Sequence, residues 1–183
     1  MLMNDPQEVA FGLNTAAPLF CTSEKIKSAC GTPERFELLR QTFNFWFNRF
    51  GKEHLPNTFV LCFSEHAKED NDGLLSMWRA YGDHGNGAAI VLDTAQIVPR
   101  DESFLILSKV RYVTEEQRID WIQTLLARCA QIIENNAIPD DKLVVCSFFI
   151  FQRLKAFAIF TKYQGFREEI EWRVVYMSDI EEI

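Results

Sequence analysis

FVLCFSE, at residues 59–65, is the stretch around which the fold is organised. It is short, it combines aromatic with β-branched residues, and it ends in polar groups, which is typical of a β-strand. A polar loop follows, and residues 72–81 then carry apolar and aromatic side chains at helical spacing, with Asp72 as the cap. The sequence therefore predicts a strand over Thr58–Ser64 that delivers Ser64 to its end, and a short helix that covers it.

A longer amphipathic helix is predicted just before this strand. Thr32 lies at a favourable N-cap position, Pro33 at the first helical position, and aromatic and aliphatic residues recur three and four apart until Gly51. Because such a stripe is typical of a core-facing helix, we expect it to be buried. Residues 12–32, in contrast, mix Gly, Asn, Thr, Ser and Pro without a clear period, so they are predicted to form a loop.

The second half of the chain alternates between strand and helix patterns. Residues 88–93 are expected to form a buried strand, and the β-rich segment 104–113 a further one. A capping box then starts one helix, and Pro139 opens a second, apolar helix. Residues 170–176 alternate as a final strand. This order predicts an α+β fold, in which a mixed or antiparallel sheet is joined by a short helix after the first strand and by two or three long packing helices.

Length and composition are those of one globular domain, residues 1–183. The 183 residues are 48% hydrophobic and include 16 phenylalanines, so a core built largely from aromatic rings is expected. The formal net charge is −7 and lysine and arginine are not clustered, which argues against binding to duplex nucleic acid. The five cysteines are odd in number, widely spaced and without a C-x-x-C pair, so we expect reduced core thiols and no metal site.

No membrane or export signal stands out. The chain starts MLMNDPQE, without the basic and apolar regions of a signal peptide. The longest apolar run, residues 143–160, contains Gln152, Arg153 and Lys155 near its middle, and these polar groups are costly in a bilayer. We therefore expect no membrane span and a cytoplasmic location.

Charged residues alternate on the last predicted strand. Glu169, Glu171 and Arg173 share one face, and apolar residues occupy the other. The charged face is either a solvated surface or a binding site, and the usual composition of open antiparallel sheets favours the solvated surface. Lys162, at the end of the long apolar helix, either satisfies the last helical carbonyls or faces these glutamates as a contact for a phosphate or carboxylate.

Ser64 and the helix after it each admit two interpretations. Ser64 is either the first hydrogen-bonding group of a turn or a functional hydroxyl, although no G-x-S-x-G elbow surrounds it to support a hydrolase nucleophile. Trp78 and Tyr81 are either core aromatics or a stacking wall for a planar ligand, with the tyrosine hydroxyl as a polar handle. His66 and His84 lack the spacing of metal ligands.

Six short motifs occur in one order along the chain. They are Asn4-Asp5-Pro6 with Glu8, Cys62-Phe63-Ser64, Met77-Trp78-x-x-Tyr81 with Gly87, Val110-x-Tyr112, Lys162, and Glu169-x-Glu171-Trp172-Arg173. Together they resemble the bacterial family catalogued as domain of unknown function 2971 (DUF2971), over nearly the whole chain. The resemblance implies no established activity, but it does imply site positions. These positions are Asn4, Asp5, Ser64, Trp78, Tyr81, Lys162, Glu169, Glu171 and Arg173.

The resemblance has two further implications. Members of the family carry an aromatic and basic strand ahead of the Asn4-Asp5-Pro6 turn, so a truncated N-terminus is implied for this chain. The chain is also similar, more weakly, to ADP-ribosyltransferases, in which a serine ends a middle strand and a glutamate lies in an E-x-E run. That similarity implies that Ser64 holds the nicotinamide ribose and that Glu171 bonds a ribose hydroxyl and stabilises an oxocarbenium-like transition state. Trp78 or Tyr81 would then stack the nicotinamide.

Two functions of different classes follow from these features. The first is a nucleotide-handling enzyme of ADP-ribosyltransferase-like type, with NAD as the candidate substrate and Ser64, Glu169 and Glu171 as catalytic candidates. The second is a non-catalytic binding or interaction module, as part of a defence or toxin-related system, whose charged strand and aromatic residues bind a partner. Convergence of Ser64 and Tyr81 with the charged strand in one concave pocket would favour the enzyme.

Overall fold

The computed structural model describes residues 6–70, 72–96, 98 and 103–177. The helices in this part are α1 (Pro6–Cys21), α2 (Glu24–Cys30), α3 (Pro33–Arg49), α4 (Leu75–Tyr81), α5 (Glu115–Asn135) and α6 (Asp140–Ile159). The strands are β1 (Thr58–Ser64), β2 (Leu105–Lys109), β3 (Arg111–Val113), β4 (Thr161–Tyr163) and β5 (Glu171–Met177). None of the helices in these ranges is long and apolar enough to cross a membrane.

β5 is the central strand of a three-stranded antiparallel sheet, in the order β1-β5-β2. The register places Ser64 of β1 opposite Glu171, and Cys62 opposite Arg173. β3 and β4 form a separate parallel pair. This pair stays close to β5, because the N–H of Val110, just before β3, donates to the carbonyl of Glu171 at 2.8 Å. An antiparallel sheet, a parallel pair and packed helices confirm the predicted α+β class.

The core around α1, α3 and α6 is built from aromatic rings. Phe43 of α3 is fully buried. Its ring centroid lies 4.2 Å from that of Phe20 in α1 and 6.0 Å from that of Phe151 in α6. Stacked and edge-on ring pairs of this kind add to the stabilisation from burial alone. The aromatic composition of the sequence therefore predicts the character of this core correctly.

Elements with strong end signals lie where the sequence places them. β1 has the predicted bounds, Thr58–Ser64. A capping box at Thr114 starts α5, and the side chain of Thr32 caps α3. Gly51 is not the stop of the helical path, because α3 leads directly into a π-helical turn at Phe50–His54. At α3 and α5, capping chemistry thus identifies the helix start better than a lone glycine identifies an end.

Residues 12–32 are largely helical, so the predicted loop is wrong. α1 and α2 cover most of this segment, and the backbone is already helical from Pro6 onward. Asn4 and Asp5 lie outside the described residues. The buried face of α1 consists of Val9, Leu13, Ala16 and Phe20. Their spacing is helical, but the Gly, Asn, Thr and Pro residues among them lower the intrinsic propensity, and burial against α6 overrides it.

Gly12 marks a close approach of α1 to α6. A Cβ at this position would lie 2.8 Å from the Cβ of Ala158, which is well inside van der Waals contact. We expect Gly12→Ala to lower the free energy of unfolding by about 1–3 kcal/mol, because the helices must move apart. Adding Ala158→Gly should restore part of that loss. Thermal unfolding of the single and double variants measures both effects.

Gly51→Ala is the matched control for this change. A Cβ at Gly51 would have nothing within 4 Å, so we expect this variant to be neutral or slightly more stable, because alanine narrows the unfolded ensemble. The two variants add the same methyl group to a helical backbone and differ in what that methyl group meets. Equal stabilities of the Gly12→Ala protein and the wild type would contradict the close packing of α1 on α6.

Residues 88–93 do not form the predicted strand. The run is irregular, and its large side chains are exposed, Ile90 most of all at 88%. A strand needs a neighbour for its backbone hydrogen bonds, and none of the described strands pairs with this run. Two smaller differences concern nearby elements. The β-rich segment before α5 is divided into β2 and β3, and Leu74 rather than Asp72 is the N-cap of α4.

Candidate functional site

The charged face of β5 is the buried face of its sheet. Side chains from Glu171 to Met177 alternate between buried and half-buried, and Glu171 and Arg173 are each only 5% exposed. Val175 and Met177, on the same face, belong to the hydrophobic core. The interpretation of this face as a solvated surface is therefore wrong. The reason is that β5 is the central strand, with one face packed toward the helices.

Arg173 and Glu171 form a buried ion pair. Arg173 Nε donates to Glu171 Oε1 at 2.7 Å, and Nη2 donates to Oε2 at 3.4 Å. Arg173 Nη1 also donates to the carbonyl oxygen of Ile159, at the end of α6. These bonds compensate two desolvated charges and join the sheet to the helix, which is the condition under which a buried pair is tolerated.

Lys162 adds a second cation from β4. It belongs to a strand that follows α6 and not to the helix itself. Lys162 Nζ lies 2.6 Å from Glu169 Oε2 and 3.3 Å from Glu171 Oε2. Of the two interpretations of Lys162, the structure therefore shows the side chain that faces the glutamates. Its Nζ also lies 4.8 Å from the centroid of the Phe166 ring, within cation–π range. Lys162 and Glu169 are partly exposed, so this end of the group reaches the surface.

Ser64 joins the same group from the end of β1. Its hydroxyl donates to the backbone carbonyl of Glu169, and its backbone lies opposite Glu171 in the ladder. The next residue, Glu65, donates its N–H to the carbonyl of Ile170 at 3.0 Å. Within the described part of the chain no basic side chain bonds the Ser64 hydroxyl, and its donor bond goes to a carbonyl. This arrangement offers no activated serine nucleophile.

Cys62 also belongs to this group, although its apolar context predicts an ordinary core thiol. The residue is exposed, but its thiol donates a hydrogen bond to the Glu171 carboxylate. Desolvation of the thiol, this hydrogen bond and the charge of Glu171 raise the pKa of Cys62 to about 12. The thiol is therefore protonated at neutral pH and is a donor rather than a nucleophile. The two-residue period of β1, which puts Cys62 on the face of Ser64, is the signal that could have identified it.

Tyr112 reaches the group from β3. Its hydroxyl oxygen accepts the backbone N–H of Glu171 at 2.9 Å. The spacing Val110-x-Tyr112 is among the motifs that the sequence carries, but it predicts no role for the tyrosine. We call the whole group the polar cluster. Its members are Cys62, Ser64, Tyr112, Lys162, Glu169, Glu171 and Arg173.

Glu171 is ionised inside the polar cluster. Burial alone would raise the pKa of Glu171, but hydrogen bonds from Arg173 and Cys62 and the charges of Arg173 and Lys162 outweigh burial and hold the pKa below its ordinary value. Because the folded-state pKa is the lower one, the interaction stabilises the fold above the unfolded-state value of about 4.3. That stability is lost as the pH falls through the folded-state value. At neutral pH the cluster therefore contains a fixed negative charge.

Trp78 and Tyr81 lie on α4, outside the hydrogen bonds of the polar cluster. They are 39% and 68% exposed, so they are not core aromatics. Trp78 Nε1 donates to the carbonyl of Asp72 at 2.6 Å. α4 contacts the 3₁₀ segment Gln164–Glu169, whose last residue belongs to the cluster. A shallow hollow on α4 is lined by Trp78, Arg79, Gly82, His84 and Gly85.

The structure thus brings together five of the nine residues predicted for the site. The five are Ser64, Lys162, Glu169, Glu171 and Arg173. Trp78 and Tyr81 stand on a neighbouring surface, and Asn4 and Asp5 lie outside the described residues. In the ranges that the structure describes, no group of three or more His, Cys, Asp or Glu side chains is arranged to hold a metal ion.

Comparison with known proteins gives one match. A family model described as "Protein of unknown function (DUF2971)" matches residues 77–174, which include most of α4 and the cluster residues of β3, β4 and β5. Cys62 and Ser64 precede the matched range. No curated protein and no solved structure matches the chain. The weaker similarity to ADP-ribosyltransferases therefore has no support from these comparisons.

Proposed function

The chain belongs to the DUF2971 family, proteins of unknown function, and we propose that it is a single-domain cytoplasmic enzyme that handles a nucleotide such as NAD at the polar cluster. The observation that carries the proposal is the state of Glu171. Its carboxylate is buried, ionised and held by Arg173 and Lys162, while Cys62 and Glu169 beside it reach solvent. A fixed charge in a low-dielectric site stabilises a developing opposite charge better than water does.

The proposed reaction takes place at the nicotinamide ribose. The bond between the ribose carbon and the nicotinamide nitrogen breaks, and its electron pair leaves with nicotinamide. Positive charge develops on the ribose ring, and the Glu171 carboxylate stabilises it. Water or an acceptor hydroxyl then bonds to the ribose carbon and gives up its proton to the more exposed carboxylate of Glu169, which acts as the base. The products are nicotinamide and either ADP-ribose or an ADP-ribosylated acceptor.

Ser64, Arg173 and Lys162 take binding and positioning roles in this proposal. Ser64 lies at the strand end beside the glutamates and contacts the nicotinamide ribose. Arg173 holds the Glu171 carboxylate in one orientation through its bidentate contact. Lys162 balances the charge of both glutamates. The exposed aromatic residues of α4, the helix that contacts the 3₁₀ segment Gln164–Glu169, stack the nicotinamide.

A non-catalytic binding module is the second candidate. It is favoured by the separation of Trp78 and Tyr81 from the cluster, since exposed aromatic side chains of this kind are common anchors of interfaces. It is also favoured by the bonding of Glu171, because both carboxylate oxygens already have partners in Arg173 and Lys162. In this alternative the cluster holds the strands together, and α4 contacts a partner in a defence or toxin-related system.

Nicotinamide release from NAD by the purified chain tests the proposal. Glu171→Gln keeps the size of the side chain but removes its charge, so release should fall by about 100-fold or more. Glu168→Gln is the matched control, because Glu168 is exposed, and it should behave as the wild type. Near-ultraviolet circular dichroism and thermal unfolding show whether both variants are folded, since glutamine weakens the contact with Arg173.

The assay separates the two candidates. No release by the wild type, with or without a cell extract as a source of acceptors, would overturn the enzyme. NAD that binds in a calorimeter but is not cleaved would favour the binding module. Equal release by the wild type and a folded Glu171→Gln protein would remove Glu171 from the reaction. Should Glu171→Gln fail to fold, Ser64→Ala provides the second variant, and it should weaken release without removing a charge.

A further inference from the structure

Tyr112 makes a contact to which the proposed reaction assigns no role. It lies on β3, opposite Lys162 of β4 in the parallel pair. Its hydroxyl oxygen accepts the N–H of Glu171 at 2.9 Å, so the side chain crosses from the parallel pair to the strand that carries the glutamates. The backbone bond fixes the position of the phenol oxygen at the first residue of β5, the residue whose carboxylate reacts in the proposal.

The hydroxyl of Tyr112 has a donor left over. A phenol oxygen can accept one hydrogen bond while its O–H donates another. The oxygen of Tyr112 accepts from the N–H of Glu171. Within the described ranges, its O–H donates to no acceptor. The residue is partly buried, and burial raises the pKa of Tyr112, so the O–H keeps its proton at neutral pH. Because Tyr112 is partly exposed, this O–H is accessible to an acceptor that a ligand brings to the cluster.

The neighbours of this O–H select the kind of ligand group. The hydroxyl is bonded to the backbone of Glu171, and Tyr112 is paired with Lys162 in the β3–β4 ladder, so charged groups of both signs lie near it. A carboxylate accepts hydrogen bonds and the phenol donates one, so a ligand group that both donates and accepts satisfies the two together. An alcohol hydroxyl is such a group. A phosphate has no donor at neutral pH and would be repelled by the two carboxylates.

We propose that Tyr112 is a ligand-binding residue of the polar cluster, which donates its O–H to a ribose hydroxyl while the Glu171 carboxylate accepts from the same sugar. This inference rests on the proposed function and deepens it, because it names the distal ribose of the nucleotide as the part that the cluster recognises. Ligands that end in a sugar should bind at the cluster, and nucleotides that end in a phosphate should not.

Isothermal titration calorimetry with ADP-ribose and with ADP tests the inference. ADP lacks the distal ribose, so the wild type should bind ADP-ribose more tightly than ADP. Tyr112→Phe removes only the hydroxyl and should weaken ADP-ribose binding by about 3- to 10-fold while leaving ADP binding unchanged. Tyr163→Phe is the matched control, because Tyr163 is an exposed residue of the adjacent strand β4, and it should bind both nucleotides as the wild type does.

The same experiment distinguishes a ligand-binding role of Tyr112 from a purely structural one. Tyr112→Phe also deprives the N–H of Glu171 of its acceptor, so its melting temperature is measured beside the affinities. A variant that melts lower but binds ADP-ribose as the wild type does would overturn the inference. So would a wild type that binds ADP-ribose no better than ADP, a comparison that needs no variant. Nicotinamide release together with either result would leave the proposed enzyme standing without this role for Tyr112.

Discussion

Replacement of Arg173 by Met is expected to lower the free energy of unfolding by about 3–5 kcal/mol. Arg173 is buried, and it donates hydrogen bonds to the Glu171 carboxylate and to the carbonyl of Ile159. Methionine fills similar space but leaves that carboxylate in the interior with Lys162 as its remaining cation. The loss therefore includes the cost of a poorly compensated buried charge in addition to the lost bonds. Urea-induced unfolding measures it.

Arg167→Met is the matched control for this prediction. Arg167 is an exposed residue of the 3₁₀ segment before β5, so its replacement should change the unfolding free energy by less than about 0.5 kcal/mol. Equal stability of the Arg173→Met and Arg167→Met proteins would contradict the burial of the ion pair. A double variant, Glu171→Leu with Arg173→Met, extends the test. It should lose less unfolding free energy than the sum of the losses of the two single variants, because neither charge is then left without the other.

The double variant also bears on why the chain keeps these charges. Buried ion pairs can often be replaced by apolar residues without loss of stability. If the double variant is as stable as the wild type, the fold does not need Glu171 and Arg173, and the reason for their presence must be sought in binding or chemistry. A large residual loss would instead show that the pair helps to hold β5 on α6, as its bond to Ile159 indicates.

Local signals in the sequence correctly predict the elements whose ends are marked by residues close by in the chain. β1 has the predicted bounds, and the final strand, predicted at residues 170–176, is observed at Glu171–Met177. α1 is missed because its glycine, asparagine and proline residues weaken the local pattern, while its stability comes from contacts with α6, far away in sequence. Residues 88–93 show the reverse case, since a strong strand pattern has no described neighbour with which to pair.

The candidate site likewise has features that the sequence predicts and features that it does not. A period of two places Ser64 at a strand end and Glu171 with Arg173 on one face. It does not reveal that this face is buried, because burial follows from the helices that pack on it. Cys62 and Tyr112 enter the cluster through a cross-strand pair and a bond between two sheets. Both contacts depend on topology, which a single sequence does not display.

Phe43→Ala is expected to cost about 3–5 kcal/mol of unfolding free energy, as a large-to-small change in a packed core. Phe43 is fully buried, and its ring stacks on Phe20 of α1 and meets the edge of Phe151 of α6. Alanine removes the ring that these two helices share. The cavity left behind can be filled only if α1 or α6 moves, and both are also held by other contacts. Urea-induced unfolding followed by circular dichroism measures the loss.

Phe45→Ala is the matched control, because Phe45 lies two positions along the same helix and is 56% exposed. Its ring contacts the neighbouring Trp46 at 5.1 Å between centroids, so we expect a loss below about 1 kcal/mol. The two variants share the same change in helix propensity, and the difference between them isolates the packing of Phe43. Equal losses of unfolding free energy in the two variants would contradict that packing. They would also contradict the packing of α1 on α3, because Phe20 of α1 stacks on the Phe43 ring.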